Sequence, residues 1–299
     1  MTRAVLLLAH GTPESLDQMP EYLARVRGGR PPSPELVEEM RGNYGAIGGR
    51  SPLTDITRAQ ALALSTELGG MPVYVGMRNW RPYIADALAE AVAAGVRELV
   101  GLPMAPQYSS LSVAKYVEAV ESACPPDLAV RFVGPWHDHP GLLEAFAEKV
   151  REARSRDAWD RILFTAHSLP LRVIAQGDPY AEQVAATARG VAARAGVGEF
   201  GLAYQSAGRT PEPWLGPSLD EAIGTAADDG ARRILVAPIG FVCDHTEILF
   251  DVDVQAARVA QRAGVEIGRT ASLNTSPTFV RALADLVGAT AAEPVTSPP

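Results

Sequence analysis

Residues 162–170 read ILFTAHSLP, an apolar run that ends on an imidazole, a hydroxyl and a proline. The run has the length and the Ile, Leu and Phe content of a buried strand. Residues 6–13 repeat the phrase as LLLAHGTP, and AAGVRELVGLP (93–103) is echoed by DDGARRILVAP (228–238). Each member of the second pair reads as helix end, glycine, strand and proline. Two matched segments in the same order predict two similar halves.

Short Val, Ile and Leu runs alternate with helical stretches throughout, which predicts parallel sheets with helices on both faces. Strands are expected at 3–9, 72–77, 97–103, 128–134, 160–166, 199–205, 233–238 and 265–270. The fold class is therefore α/β, with two similar Rossmann-like domains at 1–145 and 146–290 and a flexible tail at 291–299. The last helix, about 276–288, is expected to cross back over the first domain. The first half is the longer. Its surplus falls on RVRGGRPPSPELVEEMRGNYGAIGGRSPL, rich in Gly, Pro and Arg, which marks an insert at about 27–55. Such insertions are substrate loops or peripheral elaborations. Within it Ser33 is the expected cap of a helix opened by Pro34. Pro82 and Gly95 are expected to open and close another helix.

The chain has 299 residues, of which 47 % are hydrophobic, enough for two ordinary cores. A net charge of −8, from 27 basic and 35 acidic residues with no run of Lys or Arg, leaves no footprint for phosphate backbones, so nucleic acid is set aside. No apolar run reaches the ~18 residues of a spanning helix. MTRAVLLLAHG suits a first strand better than a signal segment. The expectation is a cytoplasmic protein without stable membrane insertion. Two cysteines, Cys124 and Cys243, with no CxxC exclude a four-cysteine zinc or iron–sulfur site within one chain. No GxGxxG follows the first strand, where AHGTPES has a single glycine, and GxxxxGK[ST] and GxSxG are missing, which disfavours nucleotide cofactors and serine hydrolysis.

In open α/β sheets ligands bind outside the carboxyl ends of the strands. His10 and His167 both sit at such ends. If the halves face each other, the two imidazoles point into one cleft from opposite sides; otherwise each is a hydrogen-bonded structural residue. The third segment is PIGFVCDHTEILFDVDVQ (238–255). Asp244 is the expected N-cap of its helix, with Glu247 as capping-box partner. On the functional reading, Glu247, Asp251 and Gln255 form a polar stripe opposite Ile248, Val252, Ala256 and Val259. A carboxylate there, facing a histidine, makes a divalent-metal or proton-handling pair. His245 is expected as a loop or cap residue, and His137 and His139 in WHDHP, at i and i+2, as a cap of the next helix rather than a metal site. QSAGRTPEPWLGPS (205–218) is too rich in Pro and Gly for a helix. Its Trp214 is expected either to line a cleft or to pack a plain turn.

Together, FTAHSLP, YQSAGRTPEPWLGPS and PIGFVCDHTEILFDVD resemble the three best-marked segments of the ferrochelatase family. GNYGAIGGRSPL and MAPQYSSLSVAKY resemble its N-terminal half, so the likeness covers nearly the whole chain. It implies two Rossmann-like domains of the class II chelatase kind without a nucleotide, and insertion of Fe²⁺ into a porphyrin held in the cleft. It also implies that His167 and Glu247 form the catalytic metal-site pair. By resemblance to the shorter Gram-positive-type enzymes, Arg27, Asn43, Tyr44, Ser51 and Tyr116 fall at porphyrin-holding positions, and the insert covers the porphyrin. Three residues depart from that pattern. His10 stands where those enzymes usually carry a tyrosine and becomes a candidate axial ligand of product iron. Asn43 stands where an arginine is often found, and Gln255 replaces a third acid of the stripe.

The resemblance further implies coproporphyrin III and Fe²⁺ as substrates, with protoporphyrin IX as the runner-up. It implies no cofactor beyond Fe²⁺, no iron–sulfur cluster, and a monomer in transient contact with neighbouring haem-pathway enzymes. Two other readings compete: a haem or porphyrin carrier using the same cleft, and a chelatase inserting cobalt or nickel into a reduced tetrapyrrole. An intact His167 and Glu247 favour the enzyme over the carrier, since a carrier needs an iron ligand but no base. The aromatic loop and the Arg27-bearing insert favour iron insertion over the third reading.

Overall fold

The computed structural model describes residues 2–208 and 210–292. Every strand expected from the sequence forms. In the first half they are β1 (Thr2–Ala9), β2 (Val73–Met77), β3 (Val96–Pro103) and β4 (Ala129–Phe132). In the second they are β5 (Arg161–His167), β6 (Gly201–Gln205), β7 (Arg233–Pro238) and β8 (Glu266–Arg269). All pairs are parallel, in the orders β2-β1-β3-β4 and β6-β5-β7-β8, so the second sheet repeats the first.

Parallel strands are buried on both faces, which is why their sequences read as continuous apolar runs. The period of two then sends alternate residues into different cores. Ala4, Leu6 and Leu8 of β1 pack outward against Ile84, Leu88 and Ala91. Val5 and Leu7 face inward and share one core with Ile162 and Phe164 of β5 and Leu235 of β7. On the far side Leu163, Ile234 and Val236 meet Ile223 and Val252. The inner faces of the two sheets are thus joined by a single core, filled by helices Pro140–Arg156, Tyr180–Ala195 and Pro277–Ala292.

The last helix does cross back. Phe279, Leu283 and Val287 enter the shared core, and Arg131 of β4 donates to the Ala291 carbonyl at 3.2 Å. It runs on to Ala292, so the tail expected from 291 begins inside it, and the rest of that tail, 293–299, lies outside the described residues. A division between 145 and 146 falls within helix Pro140–Arg156. A second tie spans the halves beside the strand ends. Ser109 Oγ, Ser110 N and Ser110 Oγ all donate to Asp178 Oδ2, at 3.1, 2.7 and 2.8 Å.

Local signals behave as their chemistry dictates. Ser33 Oγ accepts from Leu36 N, and His139 Nδ1 accepts from Gly141 N at the start of its helix. Gly95 closes helix Ile84–Ala93 at a φ of 82°. Pro82 does not open that helix. It lies two residues before Ile84, and its carbonyl accepts from Met77 N, closing the turn after β2.

Candidate active site

The loops after β1, β5 and β7 converge on one cavity of about 320 Å³, within the range of small-molecule sites. His10 follows β1 directly. The chain turns sharply behind it at Gly11, whose φ of 87° and whose absent Cβ, which would stand 2.7 Å from Trp80 N, both require glycine. Asn79 Nδ2 lies 3.3 Å from Nδ1 and 3.1 Å from Nε2 of the His10 ring. Burial, reinforced by the Arg78 guanidinium, lowers the His10 pKa to about 4, so this imidazole is neutral at pH 7.

His167 ends β5. Its Nδ1–H donates to the Ser168 carbonyl, which leaves Nε2 to face Glu247 Oε1 at 3.8 Å. Glu247 comes from the segment after β7. There Gly240 passes so close to β5 that a Cβ would sit 2.7 Å from Ala166 Cβ. Burial alone would raise the Glu247 pKa, but the imidazoles of His167, His245 and His10 reverse this and hold it at about 2. The carboxylate is therefore an anion throughout the working range.

The helix that carries Glu247 differs from the sequence expectation. It is a short turn, Thr246–Leu249, followed by a π-helical stretch, Asp251–Ala256. Asp244 does not cap it. Its carboxylate is taken by Ser272 Oγ at 2.7 Å, Asn274 Nδ2 at 2.8 Å and Arg269 Nη1 at 3.1 Å, and His245 occupies the cap position instead. The expected stripe is also broken. The wider π turn swings Gln255 to the surface, where Nε2 donates to Asp220 at 3.3 Å, while Asp251 stays inside and accepts from Ser206. Burial and the Glu247 charge push Asp251 up to about 6.

Among the residues expected from the sequence, His10, Tyr44, Ser51, Tyr116, His167 and Glu247 all line the one cavity. Arg27 and Asn43 do not. Arg27 lies exposed just past helix Met19–Val26. Asn43 precedes Tyr44 on helix Pro34–Ala46, about 100° around it, and its Nδ2 turns to Met40 Sδ at 3.9 Å. Trp214 lines the cavity, which decides between its two expected placements. Sequence reasoning missed Tyr22, Arg78 and Tyr180 in the lining, none of which carries a local motif. It also missed the second role of His245. Its Nδ1–H donates to the Cys243 carbonyl at 3.0 Å, and its Nε2 faces Glu247 Oε2 at 3.6 Å. Burial would lower the His245 pKa, but Glu247 outweighs it and raises it. The spacing H-x-E was the available signal.

The sequence profile described as Ferrochelatase matches residues 2–291. A protein named ferrochelatase from Deinococcus radiodurans is 43% identical over 303 residues, covering 97% of this chain and 96% of that one. A protein named coproporphyrin III ferrochelatase from Geobacillus thermodenitrificans is 37% identical over 305 residues, covering 96% and 95%. Among solved structures, SirB from Bacillus subtilis with Fe³⁺ has a TM-score of 0.62 at 13% identity, covering 98% and 96%. That likeness shows the fold, two parallel sheets with flanking helices. The sequence match runs unbroken from β1 to the last helix and takes in every strand end that opens on the cavity; by it, this chain belongs to the ferrochelatase family.

Proposed function

We propose that this ferrochelatase inserts Fe²⁺ into coproporphyrin III and releases Fe-coproporphyrin III, as a cytoplasmic monomer needing no cofactor beyond the metal substrate. Among the described residues, no helix is long and apolar enough to cross a membrane. The observation that carries the reaction is the facing of His167 and Glu247 in one cleft with His10. Two pyrrole N–H protons must leave as Fe²⁺ enters. With Nδ1 tied to a carbonyl, His167 Nε2 is the free lone pair that takes a proton from the macrocycle. Glu247, held as an anion, ligates Fe²⁺ and offsets its charge. A cation that has to be passed on suits a few open ligands better than a closed cage. Among the described residues no group of three or more His, Cys, Asp or Glu is arranged to hold a metal ion.

His10 is neutral and in the other half, and serves as the axial ligand of product iron. Tyr44, Ser51 and Tyr116 hold the macrocycle, with Asn43 beside Tyr44 on its helix and Arg27 further out, just past the helix that carries Tyr22. The four carboxylates of coproporphyrin III call for cations at the cleft edge. Arg25, Arg27, Arg30 and Arg50 lie on the segments that also carry Tyr22, Tyr44 and Ser51, and Arg78 is in the lining itself. The name of the Geobacillus relative supports the same substrate.

The test is anaerobic incubation with Fe²⁺, or Zn²⁺ as surrogate, and either porphyrin, following loss of free-base fluorescence. Coproporphyrin III is expected to give the higher kcat/KM. A preference for protoporphyrin IX overturns the substrate assignment, and metallation no faster than a protein-free control overturns the reaction.

A further inference from the structure

The register of β5 on β6 sets His167 opposite Gln205, and Ser168 N donates to the Gln205 carbonyl at 2.7 Å. The Gln205 side chain is buried and satisfied at both ends. Its Oε1 accepts from Thr165 Oγ1 at 2.9 Å, and its Nε2 donates to the backbone carbonyl of Glu247 at 2.6 Å. Because the Glu247 carbonyl can only accept, the amide can face only one way, with its N–H groups toward Glu247 and Oε1 toward the Thr165 hydroxyl.

The Glu247 carbonyl lies just before the change from α to π geometry, where regular backbone partners are interrupted. A side chain from the neighbouring sheet takes it. One residue therefore holds the His167 strand end through its main chain and the Glu247 turn through its side chain. The first half carries an amide in the matching place. Asn79, past the end of β2, donates its N–H to the His10 carbonyl at 2.9 Å and turns its side chain to the His10 ring. In the second half the amide is turned instead to the backbone of the Glu247 turn.

We infer that Gln205 is a positioning residue that fixes the separation of His167 and Glu247, and so governs how Fe²⁺ is received between them. The inference rests on the ferrochelatase reading above. Groups that orient a metal-handling side chain typically change metal affinity or activity 10- to 100-fold when removed.

The experiment compares wild type with Gln205→Met, which keeps the volume, and Thr165→Val, which removes the hydroxyl that donates to Oε1 and so loosens the amide. Initial rates are measured with Zn²⁺ and coproporphyrin III, varying each in turn. Free-base porphyrin binding without metal and thermal midpoints are measured alongside. For Gln205→Met, kcat/KM for the metal is expected to fall about 10- to 100-fold while porphyrin Kd stays within about twofold. Thr165→Val should move in the same direction by less. Unchanged metal kinetics overturn the inference, as does a parallel loss of metal kinetics, porphyrin binding and thermal midpoint, which marks a merely structural role. If Gln205→Met does not fold, the same split in Thr165→Val decides. An active wild type with unaffected variants overturns this inference alone; a wild type that metallates neither porphyrin overturns the ferrochelatase reading with it.

Discussion

His167 and His245 present the same ring atom to the two oxygens of one carboxylate. Nε2 of His167 lies 3.8 Å from Glu247 Oε1, and Nε2 of His245 lies 3.6 Å from Oε2. In both rings Nδ1 is committed to a backbone carbonyl. Glu247 raises the proton affinity of His245, and the base role is proposed for the other ring, His167, at the end of β5. His167→Ala is therefore expected to lower metal insertion by about 10²- to 10⁴-fold, the usual worth of a positioned base, while free-base porphyrin still binds. Stopped-flow fluorescence with a parallel binding titration checks both; unchanged turnover would remove the base assignment.

His10 is neutral because burial outweighs everything else at the site. A His10→Tyr change should move the absorption and electron-paramagnetic spectra of the iron product more than it moves the insertion rate. An unaltered spectrum would refute axial ligation. The same change should alter acid stability. With its pKa lowered from 6.5 to about 4, His10 makes the fold lose stability as pH falls through that window, since only the unfolded chain takes up the proton. His10→Tyr should flatten that loss in thermal melts.

Asp251 works with the opposite sign. Its pKa stands at about 6 in the fold against 3.8 ordinarily, so ionised Asp251 costs stability above pH 6, and the cost fades as pH falls toward 3.8. Asp251→Asn keeps an acceptor for Ser206 and removes the charge. Its melting temperature is expected to exceed wild type by roughly 2 to 4 °C at pH 7.5, and to match it at pH 3.5. A gain that persists at the lower pH would show that the charge is not its cause.

Gly240→Ala is expected to be destabilising although the site is a loop. The added methyl would stand 2.8 Å from Ala166 Cα, and backbone cannot move aside as a flexible side chain would. Overpacking of this kind costs about 1–3 kcal/mol. Denaturant unfolding should register that loss, and insertion should slow as the Glu247 segment lifts from β5. Full stability with full activity would contradict the close approach.

The strands and their order were legible in ILFTAHSLP and its echo because parallel strands buried on both faces need continuous apolar runs, and these stand out against amphipathic helices. The pairing of His167 with Glu247 was legible because His167 ends one strand and Glu247 lies in the helical turn that follows another. The cap at Asp244 was not. Its partners Ser272, Asn274 and Arg269 come from β8 and the stretch after it, and no local pattern announces them. The π turn was equally hidden, because a count of i, i+4, i+8 assumes an α-helix throughout; it kept Asp251 inside and lost Gln255. Arg27 and Asn43 show the limit of matching positions along a chain. A helix neighbour one residue from Tyr44 can face a different direction, and here it does.

The crossing of helix Pro277–Ala292 bears on how a large planar guest gets in and out. Phe279, Leu283 and Val287 belong to the core that β1 and β5 share, and the Asp178 carboxylate ties the halves beside the strand ends. The cleft is thus bolted at the back and pinned at one side, unlike a jaw on a free hinge. Any opening for the guest is expected at the mouth, in the stretch that carries Tyr44 and Ser51 and in the Trp214 loop, all of which line the cavity. A rigid rear wall also means that cutting the chain ahead of Pro277 would strip the interior of the first half as well as the second.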